Sequence, residues 1–475
     1  MKPALILGMQ DLAKLTRKDL KKLSHEEKDN LIFFLIEQVI ALRQEVEELK
    51  HKLNLRDKNS SNSSKPPSSD INKPNRNQSQ REKTGRKPGG QNGHEGITRN
   101  QINNPDKIIQ IIPESCELCG KKLSSKKAKL KTKRQVFDLP EIRPLVTEYQ
   151  SFESTCRCGY CNVGAFPQDV KAPVQLGPNI CSFMIYLNAK HVIPYERLCM
   201  ISGDLLGFDI SKGSIENILE RTYQNSKYLH NEILENIQKY SWIGSDETSS
   251  RVEGKKWWLW VWQNFKGSCF AITDNRGYKT IKERFGEDYT GRMVHDCWAA
   301  QFMTIARGGH QACLEHLCRE LKFIIQYEKS KWASMLRSFL YRAIKVRDKI
   351  WEKGFNLSAR KRIITRHLNK FEKLLKVKVK HREENRVKDR LIKYKDNILF
   401  FMKSKDMPCY NNSSEQAIRI AKIKDKISYG FRSQNGAERF AVLLSIIETC
   451  KKQGLDIFTS IKKLVLNEPL HFQWA

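Results

Sequence analysis

The sequence has no long apolar run. Its most apolar stretches, Leu31 to Ile36 and Val442 to Ile447, fall far short of the roughly 20 residues that cross a bilayer, so neither a spanning helix nor a membrane partner is expected. The N-terminal segment lacks an apolar core followed by a cleavage site, which argues for a cytoplasmic protein. Acidic residues are scarce: 53 Asp plus Glu face 85 Lys plus Arg, a net charge of +32. A field of that sign makes a polyanion the first partner to consider, with nucleic acid ahead of an anionic membrane surface. The 13 cysteines lack the even number and spread of a secreted disulfide framework. Five of them crowd between positions 116 and 161, which suggests a metal cluster accompanied by scattered buried thiols. A chain of 475 residues has room for two or three domains.

Ser24 and Glu27 have the spacing of a capping box, and Leu35, Val39, Leu42, Val46, Leu49 and Leu53 then recur at alternating steps of four and three. This predicts a helix over 24–55 that pairs as a coiled coil, or one that packs its apolar face on its own domain. Over 56–104 the composition turns to Ser, Asn, Lys, Pro and Gly, as in NSSNSSKPPSSD and GRKPGGQNGHEG. Such a stretch cannot bury enough apolar area to offset its ordering entropy. It is expected to be a basic flexible arm, either lying along phosphates, with Arg86 and Lys87 as contacts, or serving as a solvated linker.

Residues 105–165 alternate short β-like runs (IIQIIP, RQVFDLP, LVTEYQSF) around two cysteine pairs, Cys116/Cys119 and Cys158/Cys161. Two C-x-x-C knuckles can supply four thiolates to a structural Zn²⁺, although 38 intervening residues exceed the usual ribbon spacing. Cys156 competes as a ligand, and reduced, metal-free cysteines are the alternative. Cys181, Cys199, Cys269, Cys313, Cys318, Cys409 and Cys450 fall outside any ligand spacing and read as packing residues. Residues 166–240 have helical periodicity, and KGSIENILERT after YERLCMISGDLLG has the form of a helix-turn-helix that would turn Lys212, Ser214 and Asn217 toward a groove. Ordinary helical packing explains the same pattern.

From Trp242 the pattern becomes strand-like: WIGSDET, KKWWLWVWQN and SCFAITD, then a helix near Tyr278, then GRMVHDCW. Three meander strands, a crossover helix and a fourth strand match the opening of a ribonuclease H-like sheet, in which strands one and four are neighbours. Asp246 and Asp296 would end those two strands and face one spot. Paired carboxylates repel unless protonated or neutralised, and Mg²⁺ or Mn²⁺ is the natural neutraliser for hard oxygen ligands. A third acid, Glu415, falls in the first turn of a helix expected to be capped by Asn412 or Ser413. Trp258, Trp260 and Trp262 share one strand face and Trp257 the other, as core packing rather than base stacking. His310, His316 and Arg319 are read as lying on one helix after the second Asp; at i and i+6 the histidines would not share a face, leaving a structural or phosphate-binding role.

SDET, VHDCWAAQF, HQACLEHLCRELKF, NNSSEQAIR and KISYGFRSQNGAERFAVLLSIIETCKKQG, together with NSSNSSKPPSSD and GRKPGGQNGH, resemble in order the motif series of insertion-sequence 66 family transposases, over about 30–465. The resemblance implies a coiled coil and basic arm, a zinc-binding DNA-recognition module, and a DDE catalytic domain split by a helical insertion. It makes Asp246, Asp296 and Glu415 the catalytic, magnesium-binding triad, with Asp246 bridging two ions. Where the family commonly has Asp-Asn-Asn before the last acid, Arg after it and Gly after the second Asp, this chain has Tyr410, Gln416 and Cys297.

The expected architecture is therefore multidomain, α+β and α/β. It comprises a coiled-coil helix (24–55), the arm (56–104), a zinc-ribbon-like module (105–165), a helical DNA-binding region (166–240), a ribonuclease H-like core in two parts (241–321 and 401–475) and a basic helical insertion (322–400). Within the insertion, 15 Lys plus Arg against four acids between Arg360 and Lys395 suggest a phosphate-binding surface. Arg319, Arg360, Lys361, Arg362 and Arg419 join Lys212 as candidate DNA contacts. The expected function is a prokaryotic DNA transposase that cleaves and joins strands at its element's inverted repeats. Its partners would be double-stranded DNA at element ends and target, a second copy in a homodimer or higher oligomer, and accessory proteins of the same element. The rival is an inactive zinc-dependent DNA binder.

Overall fold

A capping box starts the first long helix, as the Ser24 and Glu27 spacing predicts: Ser24 Oγ accepts the Glu27 N–H at 3.2 Å and Glu27 accepts the Ser24 N–H at 2.8 Å. The computed structural model describes residues 16–59, 62–63 and 99–474. Arg86, Lys87 and most of the basic arm lie outside the described residues. Helix α1 (Arg17–Lys22) leads into α2 (His25–Arg56), none of whose side chains is buried, so the whole heptad seam from Leu35 to Leu53 faces outward. The far end of α2 is held: Lys58 Nζ lies 2.8 Å from Glu383 and His51 3.9 Å from the same carboxylate.

Residues 99–175 carry one short hairpin, β1 (Glu153–Thr155) with β2 (Cys161–Val163), a single antiparallel bridge between Ser115 and Lys122, and one 3-10 turn at Ser125–Lys127. The runs expected to be strands are extended but form no ladder, because nothing packs over them: Ile111, Val136 and Leu145 are each more than 90% exposed. Helices α3 (Pro178–Ile185), α4 (Tyr195–Leu206) and α5 (Lys212–Ile237) follow. Gly207, at φ 69°, ends α4 in the left-handed conformation, and Ser211 caps α5 by accepting the Ser214 N–H. The helix-turn-helix outline is present, but α5 runs 26 residues and buries Ile215, Ile218, Leu219, Leu229 and Ile233, so it is a core helix along most of its length.

The centre is a mixed five-stranded sheet of order β5-β4-β3-β6-β7. Strands β3 (Trp242–Val252), β4 (Lys255–Gln263) and β5 (Ser268–Thr273) form an antiparallel meander. Helix α6 (Tyr278–Phe285) crosses to β6 (Arg292–His295), which lies parallel to β3, and the short α7 (Ala299–Met303) leads to β7 (Gly309–Ala312), parallel to β6. Trp260 and Trp262 are fully buried and stack 5.9 Å apart on one face of β4, with Trp258 beside them and Trp257 on the other face, as the period-two pattern predicts. Helix α8 (Leu314–Glu328) precedes the inserted helices α9 (Lys331–Glu352), α10 (Leu357–Lys376) and α11 (Arg382–Lys393); their apolar faces share one core with Val294 and Ala312 of the sheet. Next come α12 (Lys395–Ile398), α13 (Asn412–Ser428), α14 (Gln434–Lys452) and α15 (Ile457–Val465). Helix α14 covers edge strand β5, where Ser445 and Thr449 accept its outward N–H groups from Phe270 and Ser268. None of the described helices is long and apolar enough to cross a membrane.

Several hydrogen bonds seat the start of α13 on the sheet. Asn411 Nδ2 donates to the Ser245 carbonyl at 2.7 Å, its N–H reaches Cys313 Sγ at 3.3 Å, and Gln263 Nε2 donates to Ser413 Oγ at 2.6 Å and Ser414 Oγ at 3.1 Å. The helix comes so close that a Cβ on Gly244 would stand 2.5 Å from Ser414 Oγ. Gly244→Ala should therefore push α13 off β3 and cost about 1–3 kcal/mol, as overpacking does. Denaturant titration measures this, and Ser414→Gly in the same chain should recover part of the loss. An unchanged midpoint would show that the helix is not seated this closely.

Candidate active site and metal centre

Asp246 lies on β3, but not at its end. Parallel pairing with β6 stops at Gly244 and Val294, while β3 continues to Val252 because β4 pairs with it throughout. Asp246 therefore lies just past the point where β6 leaves β3, with Asp296 one residue beyond β6. The Asp246 side chain is buried, and its Oδ1 accepts the Glu247 N–H at 2.9 Å. Glu415 arrives in the first turn of α13, as expected, but the cap residue is Asn411 rather than Asn412 or Ser413, and its carboxamide donates to the sheet instead of closing the helix turn.

The strongest clustering is of Asp296, Cys313, His316 and Glu415, whose ligand atoms all lie within 4.8 Å of one another. His316 Nδ1 is 3.0 Å from Asp296 Oδ1 and 3.7 Å from Glu415 Oε1. Asp246 stands beside this group, and Asp296 is the strongest like charge acting on it. His310 and His316 do not share a helix: His310 is in β7 and His316 in the first turn of α8. Contrary to the expectation of one helix carrying both rings, the chain changes from strand to helix between them. His310 instead supports the loop, with Nδ1 3.0 Å from His295 Nε2 and Nε2 3.0 Å from the Thr304 carbonyl.

Burial, then the Asp296 charge, pushes the Asp246 carboxyl well above the ordinary range. Burial also raises Glu415. Burial works against the charged forms of Asp296 and His316 too, but their mutual attraction wins, holding Asp296 low and His316 well above a free imidazole. Asp296 Oδ1, His316 Nδ1 and Glu415 Oε1 are sealed from water without an aligned hydrogen-bond partner. Buried oxygens left in this state fit a bound divalent cation, which would supply the missing contacts.

Around the acids, Glu247 is not free for catalysis. Arg276 grips it at 2.5 Å, Gln301 donates to its other oxygen at 2.9 Å, and the Arg276 guanidinium lies 4.0 Å from the Trp298 ring. Arg319, one turn after His316, bonds Glu315 at 3.0 Å and its charge acts on Asp296 and Glu415. Other downstream acids are tied elsewhere, Glu438 to Arg284 at 3.2 Å and Glu448 to Lys190 at 2.6 Å.

Among the candidate DNA contacts, Lys212, Lys361, Arg362 and Arg419 are exposed, as is Asn217. Arg360 is engaged, donating to the Phe355 carbonyl at 2.6 Å and lying over the Trp351 ring. In the cysteine region, N–H groups of Cys119 and Leu118 point at the Cys116 sulfur and lower its pKa, and the Cys158 N–H does the same for Cys156. Cys161 instead lies in β2, with its thiol 3.8 Å from Glu153. Among the described residues the two cysteine pairs do not gather into one four-ligand group. Burial pushes Cys297, Cys318 and Cys409 up to about 12, which makes them packing thiols.

A family model described as transposase, insertion-sequence 66 (IS66) family, matches residues 173–439, the stretch that contains all three acids. The chain belongs to the IS66 transposase family. A second model, described as a family of unknown function, matches residues 16–100 of this IS66 protein. The uncharacterized protein y4jO of Sinorhizobium fredii (strain NBRC 101917 / NGR234) is 28% identical over 118 residues, which cover 24% of this chain and 37% of that protein.

The charge cluster carries a pH signature. Asp246, Glu415 and His316 all have raised values, so within this cluster the metal-free fold holds more protons than the unfolded chain, with Asp296 opposing; elsewhere the bases Lys424, Lys452 and His295, lowered by burial to about 8, about 7 and about 3, act the other way. The contribution of these three raised groups to stability is fully present below their ordinary carboxylate and imidazole ranges and is lost as pH rises through their raised values. Melting curves of metal-free wild type and Asp246→Asn between pH 6 and 9 test this: the wild-type midpoint should lose ground to that of the variant as pH rises, and a difference that does not change with pH would contradict it.

Proposed function

We propose that this IS66 transposase binds the terminal inverted repeats of its element, hydrolyses a phosphodiester bond at each end, and joins the freed 3′-hydroxyls to target DNA. The observation that carries the reading is the convergence of Asp296 and Glu415, each with one oxygen sealed from water and without a hydrogen bond, beside buried Asp246 in the family-matched region. The strand order β5-β4-β3-β6-β7, antiparallel then parallel, supports a ribonuclease H-like domain formed by 241–321 and 401–475, with 322–400 inserted.

Asp246, Asp296 and Glu415 would hold divalent cations. When bound, Mg²⁺ or Mn²⁺ lowers the pKa of an attacking water or 3′-hydroxyl and offsets charge on the departing 3′-oxygen. The protein fixes the carboxylates: β3 and β6 set the two aspartates, and the Asn411 and Gln263 bonds set Glu415. Glu247, clamped by Arg276, holds the Trp298 loop against the site rather than taking a proton. Exposed Lys212, Lys361, Arg362 and Arg419, with Arg319 beside the acids, would receive DNA phosphates. Arg86 and Lys87 of the arm would extend that track.

The cysteines of 105–165 would bind structural Zn²⁺, a reading supported by the N–H groups aimed at Cys116 and Cys156. The outward heptad seam of α2 would pair with a second copy, so that one assembly holds two DNA ends.

Asp246→Asn, Asp296→Asn and Glu415→Gln should each abolish cleavage and joining while leaving end binding nearly intact, because binding rests on other surfaces. The losses should be non-additive, as for residues that act as a unit. A fully active Glu415→Gln beside inactive aspartate variants would remove Glu415 from the site, and a wild-type protein inert on its cognate ends with Mg²⁺ or Mn²⁺ would leave a DNA binder. Freshly purified, reduced protein should also carry about one zinc per chain. Cys119→Ser should release it, and comparing Cys156→Ser with Cys161→Ser identifies the second pair. Zinc-free protein would sink the module's assignment.

A further inference from the structure

His316 is the feature of the site that the carboxylate reading leaves unexplained. A buried imidazole is a poor neighbour for metal-bound carboxylates if it stays charged, because it then competes with the cation for the same oxygens. Yet its Nδ1 faces inward, 3.0 Å from Asp296 Oδ1 and 3.7 Å from Glu415 Oε1, without an aligned hydrogen-bond partner. Donor atoms that share one ion at about 2.1 Å stand about 3.0 Å apart at right angles and about 3.4 Å apart at tetrahedral angles. The two measured spacings bracket those values.

The backbone keeps the ring in this position. His316 lies in the first turn of α8, and the start of that helix is pinned where the Leu314 N–H meets the Cys409 carbonyl at 3.0 Å. One residue earlier, Cys313 Sγ accepts the Asn411 N–H, which ties the same turn to the cap of the helix carrying Glu415. Imidazole and carboxylate are thus mounted on two helix starts fastened to each other.

We propose that His316 is itself a metal ligand, completing with Asp296 and Glu415 a mixed nitrogen and oxygen site that favours Mn²⁺ over Mg²⁺. This rests on the reading that the acids bind divalent cations, and it adds a ligand and a selectivity to it. The selectivity follows from donor chemistry: Mg²⁺ takes oxygen ligands and keeps its waters, whereas an imidazole nitrogen suits transition ions. Cys313 orients the turn, its sulfur already occupied by the Asn411 N–H.

The test uses the full-length, metal-depleted protein loaded with Mn²⁺, observed by pulsed electron paramagnetic resonance. Directly bound imidazole should give a ¹⁴N coupling in the wild type that changes to the ¹⁵N pattern when histidine is isotopically labelled. His316→Gln should lose that coupling and weaken Mn²⁺ binding by roughly 10- to 100-fold, at least the loss seen when a ligand's orienting partner is removed. Mg²⁺ should then displace Mn²⁺ from the variant more easily than from the wild type. Wild-type protein that binds Mn²⁺ without nitrogen coupling would overturn the proposal, and because this needs no substitution, misfolding of a variant cannot excuse it. If Asp296→Asn and Glu415→Gln abolish Mn²⁺ binding while His316→Gln leaves affinity and coupling unchanged, the carboxylate site stands and His316 is excluded. Failure of the wild type to bind Mn²⁺ at all would remove both.

Discussion

Buried carboxylates repel one another, and much of this protein's central architecture serves to hold several of them together despite that. Burial raises Asp246 and Glu415 toward the neutral form, while His316 keeps Asp296 ionised. The parallel contact of β3 with β6 fixes two of the acids from the sheet side. A helix start that no Cβ at position 244 would allow brings in the third. The Arg276 clamp on Glu247 then removes a further negative charge from contention, since that carboxylate is already spoken for.

Asp296 was legible in the sequence because strand period gives way to turn there, whereas Glu415, one of many acids that occupy first turns of helices, stood out only through the resemblance to the family's motif series. Trp258, Trp260 and Trp262 were legible as a strict alternation in one strand. His316 was not, because a six-residue separation was read along one imagined helix, whereas β7 ends and α8 begins between the two histidines. Gly244 and Ser414 were also invisible: their contact spans 170 positions, and a small residue in a strand gives no hint of what approaches it. The extension of β3 past Asp246 depends on a partner strand, which local composition does not reveal.

The chain from 99 to 175 follows different physics. It leaves Ile108, Ile111, Leu130, Val136 and Leu145 facing outward, so its apolar surface contributes little to holding it in one shape. Small segments of that kind draw their stability from cross-links, bound ions or neighbours. The sulfur loops at Cys116 and Cys156 are the parts already shaped by backbone N–H groups. Basic charge is likewise uneven in kind: Arg360 is committed to a carbonyl and a ring, while Lys361 and Arg362 beside it remain exposed.

Helix α2 is a lever. Its 32 residues extend about 48 Å at 1.5 Å per residue, and its C-terminal end is fastened to α11 through Glu383. A tilt of about 10° at that fulcrum sweeps the opposite tip through about 8 Å, given the same rise. Whatever grips the tip is therefore aimed relative to the central sheet by a few side chains around one carboxylate, and loosening that carboxylate would enlarge the arc without altering either end.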